Sequence, residues 1–192
     1  RLNELNLPYV VHGRSTKSNE VYNWVDVNNE SAFFRATEFL IDLGHRSIAL
    51  LNGMADLDFA IRRTKGYERA LSKHQIDLVS DYIIYGEMTE PYGYRSTIAL
   101  LDRPSPPTAI IASSILVANG VRRGVEELGL KMGRDISILS HDDDLSYFRD
   151  ESDVPVYSVT RSSVREAGYK SADLLIKTIE DPTRQCEGIL IE

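Results

Sequence analysis

Short apolar runs alternate along this chain with longer stretches in which apolar residues recur at helical spacing. Pro8 to His12 and Trp24 to Val27 read as strands, with a polar loop from Gly13 to Asn23 between them. Beyond them Ala32, Ala36, Phe39/Leu40 and Leu43 fall at i, i+4, i+7 and i+11, which predicts a helix with one apolar face. Asn29 or Ser31 can cap its start, and Gly44 sits where a left-handed C-cap belongs. Ser47 to Leu51 is a strand, Phe59 to His74 a helix, Tyr82 to Tyr85 a strand, and Tyr92 to Leu101 a helix stopped by Asp102-Arg103-Pro104. Thr108 to Ala112 is the next strand and Leu116 to Leu128 the next helix, closed by Gly129. Val117, Val121, Val125 and Leu128 make its sheet-facing stripe. Ile136 to Ser140 is a strand, Tyr157 to Thr160 is extended, and Ser163 to Glu180 is a helix with Val164, Ala167, Leu174/Leu175 and Ile179 on one face. Ile189 to Ile191 is a last strand.

Strands alternating with helices of this length imply βαβ crossovers, hence an α/β fold with a mainly parallel sheet. Such sheets hold ligands in the crevice beyond the carboxyl ends of their strands. Several polar groups fall there: Arg14 after the first strand, Arg62-Arg63 in the helix after Ser47–Leu51, Ser113-Ser114 after Thr108–Ala112, and Asp142 after Ile136–Ser140. Arginine offers a planar fork of donors and a carboxylate accepts from adjacent hydroxyls, a set that suits a polyhydroxylated ligand. Tyr92, Tyr94, Tyr147 and Phe148 lie near those ends and could cover the apolar face of a pyranose. Position alone also permits a plainer reading, with Arg63 in a surface ion pair and Asp142 as a cap.

Composition narrows the function. The chain is 42% hydrophobic and 27% charged, which is ordinary for a globular protein and excludes a disordered one. A net charge of −7 makes this segment a poor partner for a phosphate backbone. The single cysteine, Cys186, excludes an internal disulfide framework and fits a reducing cytoplasm. No apolar stretch approaches a membrane span, and the first residues lack the basic and apolar regions of a signal peptide. The absence of an initiator Met points to a fragment. No phosphate loop, dinucleotide fingerprint, nucleophile elbow or zinc-protease motif occurs, so no cofactor and no catalytic residues are expected. The four histidines lack metal-ligand spacing. In His141-Asp142-Asp143-Asp144 at most two side chains converge at a strand end, so no metal is expected there either.

The segment Leu43-Gly44-His45-Arg46-Ser47-Ile48-Ala49-Leu50-Leu51 resembles the hallmark of the lactose-repressor/galactose-repressor (LacI/GalR) family. It is preceded by Val25-Asp26-Val27-Asn28-Asn29 and followed by Arg63-Thr64-Lys65-Gly66-Tyr67, Pro107-Thr108-Ala109-Ile110, Gly120-Val121, Glu127-Leu128-Gly129-Leu130, Gly133-Arg134-Asp135-Ile136 and Asp142-Asp143 in the family's order. Thr160 to Gly168 further resembles members tied to α-glucosides or related oligosaccharides. The resemblance implies a cytoplasmic, homodimeric transcriptional repressor whose core is two doubly wound, periplasmic-binding-protein-like (type I) lobes with a sugar effector in the cleft. It implies that operator DNA is met by an N-terminal helix-turn-helix that this segment lacks, and that the first lobe is incomplete. Residues 1–44 and 161–182 would belong to the N-terminal lobe, and 45–160 and 183–192 to the C-terminal one.

Carried over position by position, the resemblance implies an effector set of Arg63, Asp142, Ser114, Met88, Arg14 and Thr16. Arg63 would clamp hydroxyls, Met88 would replace a stacking aromatic, and Ser114 would replace a common asparagine. His141 replaces the usual tyrosine before the Asp pair. His45-Arg46 reads as structural, as do Tyr9, Trp24 and Phe39. The start of the Leu116–Leu128 helix, around Asn119 to Arg123, would meet the partner subunit. Two rival readings remain: a sugar-binding protein of a transport system, which an export signal would mark, and a sugar-modifying enzyme, which lacks a nucleophile–base pair.

Overall fold

The computed structural model describes residues 7–15, 21–142 and 156–192, with only the backbone of Asp142. Its elements, in chain order, are β1 (Val10–His12), β2 (Asn23–Val27), α1 (Asn29–Asp42), β3 (Ile48–Asn52), α2 (Asp58–Lys73), a 3₁₀ turn (Ser80–Tyr82), β4 (Ile83–Tyr85) and α3 (Glu90–Leu101). They continue with β5 (Ala109–Ala112), α4 (Ile115–Glu127), β6 (Ser137–Asp142), β7 (Ser158–Arg161), α5 (Val164–Glu180) and β8 (Gly188–Ile191). Every strand pairing is parallel, in the orders β1-β2-β8 and β4-β3-β5-β6-β7.

The chain forms two compact units, one from residues 1–28 with 162–192 and the other from 29–161. These boundaries differ from the expected ones in two places. α1 packs its Ala32, Phe33, Ala36 and Leu40 face with residues of α2 and of the larger sheet, so residues 29–44 join the larger unit. β8 pairs with β2 from Trp24↔Gly188 to Val27↔Ile191, so the tail joins the smaller unit.

In the larger unit, alternation along the central strands divides the apolar side chains between two layers. Ala49, Leu51, Ile110, Ala112 and Ile138 pack with α3 and α4, while Ile48, Leu50, Ala109, Ile111 and Leu139 pack with α1 and α2. Covering both faces explains why these strands read as continuous apolar runs. Each fully buried Leu or Ile contributes roughly 2 kcal/mol of transfer free energy. The helix pairs approach through glycine. A Cβ on Gly66 would lie 2.1 Å from Glu30 O, and Cβ atoms on Gly93 and Gly120 would lie 2.2 Å from Val117 O and 2.0 Å from Glu90 O. The smaller unit packs α5 through Ala167 and Leu174 onto Val25 and Ile191.

Helix ends follow the sequence closely. Gly44 has φ +96°, with its N–H on Ile41 O and that of His45 on Leu40 O, the double bond of a Schellman stop. Gly129 ends α4 in the same way. α1 begins at Asn29, which places both expected caps, Asn29 and Ser31, inside its first turn. The apolar stripes are narrower than periodicity predicts: Phe39, Leu43, Leu128, Val164 and Ile179 are all exposed. They occupy correct angular positions at helix ends or edges, where the sheet no longer lies beneath them. No helix among the described residues is long and apolar enough to cross a membrane.

His45 ties together the amino ends of two strands. Its Nδ1 lies 2.9 Å from Thr108 Oγ1 and its Nε2 2.9 Å from Ser137 Oγ. Thr108 spends its own proton on Ser47 O, so it accepts from Nδ1–H, which leaves Nε2 to accept from Ser137. Burial favours the neutral ring and holds its pKa below the ordinary imidazole value. In the window between that lowered value and about 6.5 the unfolded chain binds more protons than the folded one. Stability from His45 is thus complete above about pH 6.5 and declines as pH falls through the window. Urea unfolding should show stability falling as pH drops below about 6.5, less so in His45→Gln, together with a pH-independent cost of about 1 kcal/mol for the altered hydrogen bonds. Equal pH slopes in the two proteins would dismiss the neutral tether.

Candidate functional site

The carboxyl ends of β3, β5 and β6 in the larger unit bring Asn52, Ser113 and His141 to one rim of the sheet. Arg63 reaches this rim from the second turn of α2. Although arginine is rarely buried, this side chain is only 6% exposed, which excludes a surface ion pair as its role. Its Nε donates to Asn29 Oδ1 at 2.8 Å and its Nη1 to Ser113 O at 2.9 Å. The guanidinium carbon lies 4.8 Å from the ring centroids of both Phe33 and Phe59. Beyond Phe33 stands His141, with centroids 5.7 Å apart and the imidazole Nδ1 3.0 Å from Thr160 Oγ1. The result is a layered arrangement of Phe59, Arg63, Phe33 and His141 that holds the guanidinium in one plane by cation–π contact and two hydrogen bonds.

The remaining expected residues divide. Ser114 adjoins the carbonyl that Arg63 holds, but its own Oγ caps α4, accepting from Val117 N at 3.3 Å. Beside it the Ser113 hydroxyl is buried with no hydrogen-bond partner, an uncommon state for a buried hydroxyl. Met88 sits in the loop between β4 and α3 and packs against the α3–α4 core. Asp142 is the last residue of β6, in register with Arg161 of β7. Arg14 belongs to the smaller unit, where its Nε binds Asp26 Oδ2 at 2.8 Å and its guanidinium lies 4.7 Å from the Trp24 ring. Thr16, Asp143, Asp144, Tyr147 and Phe148 lie outside the described residues.

The two described tyrosines expected as sugar-facing rings serve elsewhere. Tyr92 is buried, with its hydroxyl donating toward Asn52 O (3.0 Å) and Ile84 O (2.6 Å), and burial pushes its pKa far up. Tyr94 stacks on Arg123, 4.2 Å from ring centroid to guanidinium carbon. The aromatic faces at the rim instead come from Phe33 and Phe59, which sequence reasoning did not single out, as it did not Asn29 in this role. One signal was available: Phe59 precedes Arg63 by four residues, so the two share a helix face. At the end of β3, Asn52 binds Ala60 O (2.8 Å) and Thr64 Oγ1 (3.1 Å), and Thr64 in turn meets the Tyr85 hydroxyl at 3.0 Å. Among the described residues no group of His, Cys, Asp and Glu could hold a metal ion.

Comparison with known proteins agrees with this architecture. The profile of a periplasmic binding protein-like domain matches residues 37–192. The HTH-type transcriptional regulator AglR of Rhizobium meliloti (strain 1021) is 44% identical over 91% of this chain and 49% of its own length. The chain spans about half the length of the curated relatives it matches. Among solved structures, a regulatory protein of the LacI family from Chloroflexus aggregans superposes with a TM-score of 0.88 at 32% identity, covering 99% of this chain and 67% of that one. A complex of the transcriptional regulator CelR with cellobiose superposes with a TM-score of 0.89 at 27% identity, covering all of this chain and 58% of that one. With the domain profile covering most of its residues and a LacI-family regulator alike in sequence and fold, this chain is a periplasmic binding protein-like domain that belongs to the LacI/GalR family.

Proposed function

We propose that this chain is the ligand-sensing part of a sugar-responsive, cytoplasmic transcriptional repressor, and that another part of the protein meets operator DNA. The observation that carries the reading is Arg63, a buried guanidinium fixed in plane at the carboxyl rim of a parallel sheet. Such a group meets hydroxyl oxygens without reorganising, and the buried Ser113 hydroxyl beside it supplies a further polar atom. The cellobiose complex of CelR and the regulator names of the relatives support a saccharide and a regulatory role over transport. Arg63, Asp142, Ser114 and Met88 form the ligand set of the larger unit, and Arg14 and Thr16 are the candidates of the smaller. The two units stand for the two lobes of the family. Bound sugar acts by its differential affinity for two lobe arrangements, which is what a sensor needs to shift a distant equilibrium.

A thermal-shift screen of mono- and disaccharides tests the reading. At a hundredfold excess over Kd a ligand stabilises by about 2.7 kcal/mol, roughly 5–10 °C for a domain of this size. One saccharide or a small related set should produce such a shift. A flat response across the panel would defeat the sugar assignment.

The reading includes a homodimer formed around Asn119 to Arg123 on α4. The arginines there are already matched within the chain, Arg122 to Glu126 at 2.8 Å and Arg123 to Glu90 at 3.1 Å, so they can sit at a contact rim without unpaired charge. Analytical ultracentrifugation should show a dimer that Arg122→Glu/Arg123→Glu weakens. A monomer at high micromolar concentration would end the dimer assignment, and a dimer indifferent to the double change would move its contact elsewhere.

A further inference from the structure

Consecutive asparagines after β2 are anchored in different units. Asn28 donates its backbone N–H to Ile191 O at 2.7 Å and its side-chain amide to Glu192 Oε1 at 2.6 Å, all within the smaller unit. Asn29 is buried, and its Oδ1 accepts from Arg63 Nε at 2.8 Å within the larger unit. Phe33, one turn further along α1, lies against the same guanidinium. One peptide bond therefore separates an anchor in the smaller unit from an anchor on Arg63. Asn29 is the first helical residue of α1, one past the capping position, where the side-chain oxygen is not called on to cap the helix. Here that acceptor is committed to an arginine from another helix, 34 residues along the chain.

We propose that Asn29 is a positioning residue: it fixes the plane of Arg63 and, through the adjoining Asn28, couples that plane to the β2–α1 crossover. The coupling is a property of the ligand-free chain. Only its consequence, that a saccharide hydroxyl engaging Arg63 alters the hold on Asn28, rests on the functional reading above. A coupling free energy is reciprocal, so a change at Arg63 must be felt at Asn28 and a change at Asn28 must be felt at Arg63. A purely local helix-start role for Asn29 makes neither demand.

Amide hydrogen exchange and the arginine Nε–H resonances of the ligand-free protein, read by NMR, separate the two roles. Asn29→Ser keeps a good helix-starting residue but is too short to reach Arg63 Nε; Asn29→Asp keeps the acceptor oxygen. Asn29→Ser and Arg63→Lys are expected to speed exchange of the Asn28 amide about tenfold, the effect of losing one local hydrogen bond's worth of protection. Leu50, in the middle of β3, should keep its slow exchange and so report an intact core. Asn29→Asp is expected to retain both the Asn28 protection and the Arg63 Nε–H signal. Asn28 protection unchanged in Arg63→Lys, or Asn29→Ser behaving like wild type, would overturn the proposal. Should Arg63→Lys not fold, Asn28→Ala supplies the reverse reading, with faster exchange expected at Arg63 Nε and an unchanged signal overturning the coupling. A failed saccharide screen would end the sugar reading and leave these ligand-free results to stand on their own.

Discussion

Gly120→Ala is expected to lower the stability of the larger unit by up to about 2 kcal/mol, although alanine is the better helix former. In an exposed helix the exchange would gain about 1 kcal/mol. In α4 the new methyl would lie 2.0 Å from Glu90 O and 2.7 Å from Tyr94 N, both backbone atoms of α3 that no rotamer change can move. Relief requires the helices to separate by more than an ångström, which loosens the Val117, Val121 and Val125 packing beneath them. Overpacking of this kind costs roughly 1–3 kcal/mol and outweighs the propensity gain. Gly168→Ala in α5 is the matched control, because a Cβ there meets nothing within 4 Å. Urea unfolding should show the two substitutions moving stability in opposite directions. A neutral or stabilising Gly120→Ala would mean that α3 and α4 are not held by close backbone approach.

The other large effect is expected at Arg63. Arg63→Lys keeps the charge but replaces a planar fork with a point-like ammonium, which cannot bond Asn29 Oδ1 and Ser113 O while lying flat between Phe33 and Phe59. Charge-assisted hydrogen bonds are worth about 1.5–3 kcal/mol, so affinity for the saccharide that the screen identifies should fall roughly 10- to 100-fold. Stability without ligand should fall by a smaller amount, about 1–2 kcal/mol, because one of the two bonds can be remade by lysine. Calorimetry checks the first quantity and urea unfolding the second. Unchanged affinity would remove Arg63 from the ligand set.

Local rules made most of the secondary structure legible, and non-local pairing made the rest obscure. The stops at Gly44 and Gly129 are dictated within one helical turn and appear where the sequence places them. Phe39 and Leu43 satisfy the helix period yet stand in solvent, because period fixes an angle about the helix and not the point where the sheet beneath it ends. The short run Ile189 to Ile191 reads as a strand, but nothing local says that its partner is β2, more than 160 residues earlier. At the site, Arg63 was legible as a residue and not as a geometry. Its holders arrive from α1 and from the end of β5, and Asn29 alone reads only as a helix cap.

The division of the smaller unit between the two ends of the chain sets an order of assembly. Residues 29–161 are continuous and carry their own two-layered core, so they can fold while the chain is still being made. β1 and β2 precede the larger unit in the chain, and β8, which pairs with β2, is made only after that unit. During that wait the larger unit, once folded, shortens the loop to be closed, since its ends are already fixed in space. The waiting strands carry their own protection against pairing with other chains. Asn23 and Asp26 place polar groups in β2, which leaves no long apolar strand to recruit a neighbour, and Asp26 pairs with Arg14, which follows β1.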